Sequence, residues 1–178
     1  MTGVVDGAGD SGYAQIDEST SSGLNADGAE YRFWMRFPSV AAGTMVQLYA
    51  LPATSSSCFY VEWSAGGMRT YVDRAGLASP FNATGYTTLD TNASYSADTW
   101  YQFRIVLNFT AHTFQLSRRT AIGGSWTQIG KSGSYDIPMR GTVSSCSGLR
   151  LFRHNNGAAT VVYVDDFRYS NSGITDTT

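Results

Sequence analysis

At 178 residues the chain is long enough for one domain with its own core, and a chain of that size buries roughly 70% of its unfolded surface. Hydrophobic residues make up 42% and aromatics 13%, whereas charged residues reach only 15% and the net charge is −2. No field of that size draws a protein to nucleic acid or to an anionic membrane, and no apolar run approaches the ~20 residues of a membrane helix.

In chain order, the first thirty residues are rich in Gly, Ser and Asp, with one short strand expected at 13–16. From Tyr31 the alternation is strict. Tyr31, Phe33, Met35 and Phe37 fall on one face and Arg32, Trp34 and Arg36 on the other, the period of a strand with one side in a core. Pro38 ends that run, and 44–50 supplies another strand. Two further runs meet at Ala65-Gly66-Gly67, a hairpin signal because such a turn needs positive φ. There Phe59, Val61 and Trp63 share one face, with Tyr60 and Glu62 on the other.

Residues 74–98 read as loop with a strand near 86–89. The most regular stretch follows: Tyr101, Phe103, Ile105 and Leu107 alternate with Trp100, Gln102, Arg104, Val106 and Asn108. A polar break at Thr110, Ala111 and His112 turns the chain into Phe114 and Leu116, completing a hairpin. A strand at 125–129 comes next, and 148–154 and 160–169 are expected to form a closing hairpin across Asn155-Asn156-Gly157. No segment has a helical period with caps. Ten or more short strands at this spacing predict an all-β sandwich or barrel.

Residues 1–170 are read as a single domain and 171–178 as a linker-like tail, so the chain is expected to be a monomeric module of a larger multidomain protein. Cys58 and Cys146 fit no zinc spacing; one long-range disulfide and two buried thiols both remain open. Eleven of the twelve basic residues are Arg, whose planar fork meets carboxylates and sulfates, although a GC-rich genome gives the same bias.

The succession YRFWMRFPS, TWYQFRIVLNF, FQLS and VYVDDFRYS resembles the concanavalin A-like lectin/glucanase superfamily, and VDDF is similar to the last strand of jelly-roll carbohydrate-binding modules. The resemblance spans nearly the whole chain. It implies a jelly roll of two curved antiparallel sheets, secreted or at a cell surface, with polysaccharide as the partner. It also implies a structural calcium, for which Asp165 looks like a ligand, joined by oxygens of the 6–10 loop that carries Asp6 and Asp10.

The outward residues then define the candidate site: Arg32, Trp34, Arg36, Tyr60, Glu62, Gln102 and Arg104. If their strands share one sheet, they make an aromatic platform flanked by guanidiniums and an amide, the combination that recognises a sugar. Arg-rich lining favours an acidic glycan. A retaining glycosidase needs two carboxylates ~5–5.5 Å apart. Glu62 has only Tyr60 and Ser64 at spacing two, and Asp165 and Asp166, being consecutive, are expected on opposite faces. A small polysaccharide lyase is the enzymatic alternative, with the same arginines on a uronate and Tyr60 as base; His112 and His154 both fall at turns, away from mid-strand positions. The other alternative is a structural or adhesive surface module.

Overall fold

A computed structural model describes residues 3–5, 13–17, 24–40, 45–51, 58–146, 148–153 and 162–176. Among these, the strands in chain order are β1 (Gly3–Val5), β2 (Tyr13–Asp17), β3 (Glu30–Arg36), β4 (Met45–Leu51), β5 (Tyr60–Ser64), β6 (Gly67–Val72), β7 (Gly85–Leu89), β8 (Trp100–Asn108), β9 (Thr113–Arg119), β10 (Thr127–Ile129), β11 (Ile137–Pro138), β12 (Gly148–Arg153) and β13 (Val162–Ser170). No helix occurs among the described residues.

The strands form two antiparallel sheets. One runs β1-β13-β3-β8-β9-β10, with β11 also on β9, and the other runs β2-β12-β4-β5-β6-β7. We call them the seven-stranded and six-stranded sheets.

Period-two patterning sets which residues enter the core. Tyr31, Phe33 and Met35 of β3 and Phe103, Ile105 and Leu107 of β8 are buried, as are Val61 and Trp63 of β5. The sheets meet through aromatic rings. Trp63 stands edge-on to Phe103 at 5.1 Å, while Phe59 lies 5.2 Å from Phe114 and 6.0 Å from Tyr31. Such pairs add to simple area burial because ring edge and ring face carry opposite partial charge.

The β5–β6 turn behaves as its sequence requires: Ala65 and Gly66 have φ of 49° and 78°, and Ser64 pairs with Gly67. The β8–β9 turn is held from outside, because Asp27 Oδ1 accepts the amides of Phe109 and Thr110 at 2.7 and 3.1 Å. Cys58 and Cys146 are joined in a disulfide.

Two expectations need correction. β12 and β13 do not form a closing hairpin: β12 lies between β2 and β4 in the six-stranded sheet, and β13 between β1 and β3 in the other. Alternation reports which face a residue takes, not which sheet the strand joins. The proposed turn at Asn155, Asn156 and Gly157, with His154, lies outside the described residues. Nor do Asp165 and Asp166 alternate. The β3–β13 register shifts between Asp165 and Arg168, and Asp166 takes a positive φ of 48°. The extra residue lets Phe167 reach the core rings of Tyr31 and Phe33. Asp166 instead reaches Arg168, its Oδ1 accepting Nε at 2.8 Å.

Candidate functional site

The seven sugar-site candidates divide between opposite faces of the sandwich. On the outer face of the seven-stranded sheet, register aligns Arg36 with Trp100, Trp34 with Gln102 and Arg32 with Arg104. Five candidates therefore share one surface. Tyr60 and Glu62 belong to β5 of the other sheet, and the structure does not bring them to the same surface.

The arginine face is charged and largely internally satisfied. Arg32 Nε donates to Glu30 Oε1 at 2.7 Å, and Arg104 Nε lies 3.1 Å from Glu30 Oε2 without good hydrogen-bond alignment. Arg36 lies over the rings of Tyr163 at 4.5 Å and Trp100 at 5.5 Å. The β8–β9 register adds Arg119 opposite Gln102, whose Oε1 accepts Arg119 Nε at 2.7 Å. Trp126, in the β9–β10 loop, has its ring 4.3 Å from the Arg119 guanidinium and 5.2 Å from that of Arg32.

Residues 171–176, read as a linker from their composition, lie across this face. Ile174 carbonyl accepts Arg32 NH2 at 2.7 Å, and Asp176 bonds both Arg32 and Arg119. Composition does not show this contact, because the acid sits among small polar residues and its partners lie more than fifty positions away.

The tyrosine face belongs to the six-stranded sheet. Once the β5–β6 turn fixes register, Glu62 stands opposite Arg69, and Tyr71 stands opposite Tyr86. Tyr60, Tyr71 and Tyr86 form an edge-to-face set with centroid separations of 5.1–6.3 Å. Glu62 is fully buried and accepts Tyr60 OH at 2.6 Å and Arg69 Nε. Arg69 also lies over the Tyr86 ring at 4.0 Å, and Arg140 over Tyr71 at 4.7 Å. Tyr86 is 53% exposed, so the set ends in a ring open to solvent.

Burial, followed by the Glu62 hydrogen bond and charge, pushes the Tyr60 phenol far above its ordinary value. Burial works against the charge on Arg69, but the hydrogen bond and charge of Glu62 carry its pKa upward.

Sequence reasoning missed Arg69, Tyr71, Tyr86, Arg119 and Trp126. Arg69 and Tyr71 had a readable signal: they alternate with Met68, Thr70 and Val72, and the two-residue turn fixes Arg69 against Glu62. Of the calcium candidates, Asp6 and Asp10 lie outside the described residues. Asp165 Oδ1 accepts the Asp166 amide at 2.8 Å. Among the described residues, no three of His, Cys, Asp and Glu come together to hold a metal ion.

Three surface carboxyls are held below the usual range. Thr110 hydrogen bonds hold Asp27 down, the Ser132 amide Asp90, and the Arg119 fork Asp176. A depressed folded pKa gives stability that is present above the unfolded value of about 3.9 and lost as pH falls through the folded value. Urea midpoints are therefore expected to hold level near neutrality and to fall below about pH 4, with Asp27→Asn flattening part of that fall. A midpoint that rises on acidification contradicts these assignments.

No protein-family model matches the chain, and no curated protein matches it. Solved structures do. A sialidase aligns with a TM-score of 0.66 at 10% identity over 96% of this chain, which spans only 15% of that protein. The catalytic domain of a GH131 β-glucanase from Podospora anserina aligns with a TM-score of 0.58 at 12% identity, over 99% of this chain and 73% of its own. A Caenorhabditis elegans galectin gives 0.53 at 11% identity, over 88% and 95%. At these identities the likeness is one of fold, and the fold is the concanavalin A-like jelly-roll sandwich.

Proposed function

We propose that this concanavalin A-like sandwich is a non-catalytic glycan-binding module, and that the tyrosine face of its six-stranded sheet is the binding surface. One observation carries the reading: three interlocked tyrosines end in the exposed Tyr86, beside an Arg69 fixed by the buried Glu62. A pyranose offers an apolar face to an aromatic side chain and hydroxyls to a planar guanidinium, and both are held here before any ligand arrives. The arginine face is the poorer first candidate, because Glu30 and Asp176 already engage its guanidiniums.

The polysaccharide-lyase alternative requires a base that is free of its proton. Tyr60 is the base the sequence offers, but it belongs to the other sheet from Arg32, Arg36 and Arg104, and its raised pKa and its hydrogen bond to Glu62 keep the phenol protonated. A disulfide persists in oxidising compartments, which fits a secreted module. Tethering to a catalytic partner would raise the effective concentration of a modest single-site affinity.

Native affinity gels cast with β-glucan, xylan, mannan and pectin test the reading. Retardation by at least one glycan is expected, with Tyr86→Ala weakening it about tenfold, equivalent to about 1.4 kcal/mol. Growing ultraviolet absorbance from an unsaturated uronate would make the protein a lyase. No retardation in any gel would leave a structural or adhesive module in its place.

A further inference from the structure

The contact between residues 171–176 and the seven-stranded sheet has the form of a ligand in a site. Arg119 meets the Asp176 carboxylate as a two-pronged fork, NH1 to Oδ2 and NH2 to Oδ1, both at 2.7 Å. Arg32 NH1 adds a third bond to Oδ1 at 2.5 Å. Each guanidinium is oriented by a separate partner at Nε, Glu30 for Arg32 and Gln102 for Arg119. Trp126 faces both, and Arg104 lies 5.7 Å from the same ring. Parallel N–H···O bonds from a preset fork are the strongest and most selective way to hold a carboxylate.

Receptor and occupant differ sharply in burial. The Arg32 and Arg119 side chains are 5% and 2% exposed, and that of Asp176 is 37% exposed. The segment carrying Asp176 buries little: 171, 172, 175 and 176 are exposed, and Gly173 and Ile174 half-buried. Besides Asp176 and the Ile174 carbonyl, the segment is held near its start, where Asn171 Oδ1 accepts the Asn25 amide at 2.9 Å and the Ser172 amide donates to Ser170 Oγ at 3.1 Å. Segments with few apolar contacts open at low free-energy cost, whereas the guanidiniums belong to mid-sheet strands that stay in place. When the segment lifts, Arg119 keeps Gln102 and Trp126 but loses its carboxylate, and among the described residues Glu30 remains the carboxylate beside Arg32 and Arg104.

We propose that this is a second binding site, specific for the carboxylate of an acidic saccharide, and that residues 171–176 are a strap whose Asp176 occupies it in cis. Trp34 stands in the same register row as Gln102 and Arg119 and is half-buried. It supplies an aromatic surface two strands from the fork, roughly 10 Å away at the spacing of a sheet, where the next sugar ring of an acidic oligosaccharide lies once one carboxylate is in the Arg119 fork. The strap makes the site conditional: an acidic glycan binds in proportion to the fraction of molecules whose strap is open.

The test uses trigalacturonate as ligand and maltotriose as neutral control, titrated calorimetrically into the full chain and a chain ending at Ser172. The shortened chain is expected to bind trigalacturonate at least tenfold more tightly than the full chain and to ignore maltotriose. Arg119→Ala in the shortened chain should abolish that binding, and raising salt from about 50 to about 500 mM should weaken it. The peptide Ser-Gly-Ile-Thr-Asp-Thr-Thr, added in trans, should compete. Asp176→Asn in the full chain gives the same comparison if the shortened chain does not fold. The proposal is overturned if the peptide binds but trigalacturonate neither binds nor displaces it, since the contact is then a structural latch. It is overturned equally if neither binds. The tyrosine-face reading is measured separately: retardation on glycan gels is expected to be the same with and without the strap.

Discussion

Phe103→Ala is expected to lower stability by about 3–5 kcal/mol, a large share of the 5–15 kcal/mol that holds a domain of this kind together. The size follows from position. Phe103 is fully buried at mid-β8, stacked on Phe33 at 5.8 Å and meeting the edge of Trp63 from the opposite sheet at 5.1 Å. Truncation leaves a cavity between layers that β-sheets, fixed by their ladders, cannot collapse to fill. A melting temperature lower by roughly 6–20 °C should result, against a change within about 0.5 kcal/mol for Ile122→Ala, which is 60% exposed. Equal effects from the two substitutions would mean that the sheets do not meet at Phe103.

The Cys58–Cys146 bond should be worth nearly as much. It closes 88 residues and ties the start of β5 to the start of β12, with β4 between those strands in the sheet. Closing a loop of that length in the unfolded chain corresponds to about 2–5 kcal/mol, mainly by limiting unfolded-state freedom. The double substitution Cys58→Ala/Cys146→Ala is expected to melt roughly 5–20 °C lower, and the reduced wild-type protein should melt near it. A wild-type melting temperature indifferent to reductant would show that the crosslink contributes nothing.

The faces of this fold were legible and their assembly was not. Alternation in 31–37 and 101–107 correctly assigns core and outer residues because the side-chain period in a strand is two in any sheet. The same rule cannot tell that β5 belongs to a different layer from β3 and β8, so one imagined site became two surfaces. It also failed at Asp165 and Asp166, where a bulge changes the count. Arg119 was hidden for another reason. It closes a strand that looked ordinary, and its importance comes from Gln102 and Asp176, neither adjacent in sequence.

The placement of β13 between β1 and β3 has a consequence for how the protein is made. β3 and β8 can pair early, but the other edge of β3 has no partner until residues 162–170 leave the ribosome. Until then a strand carrying Tyr31, Phe33 and Met35 presents an open row of amides and carbonyls to its neighbours. Pairings that span well over a hundred residues close slowly, because the entropy of bringing the ends together is lost before any contact returns it. The window of greatest aggregation risk therefore falls during synthesis, before Phe167 docks beside Phe33.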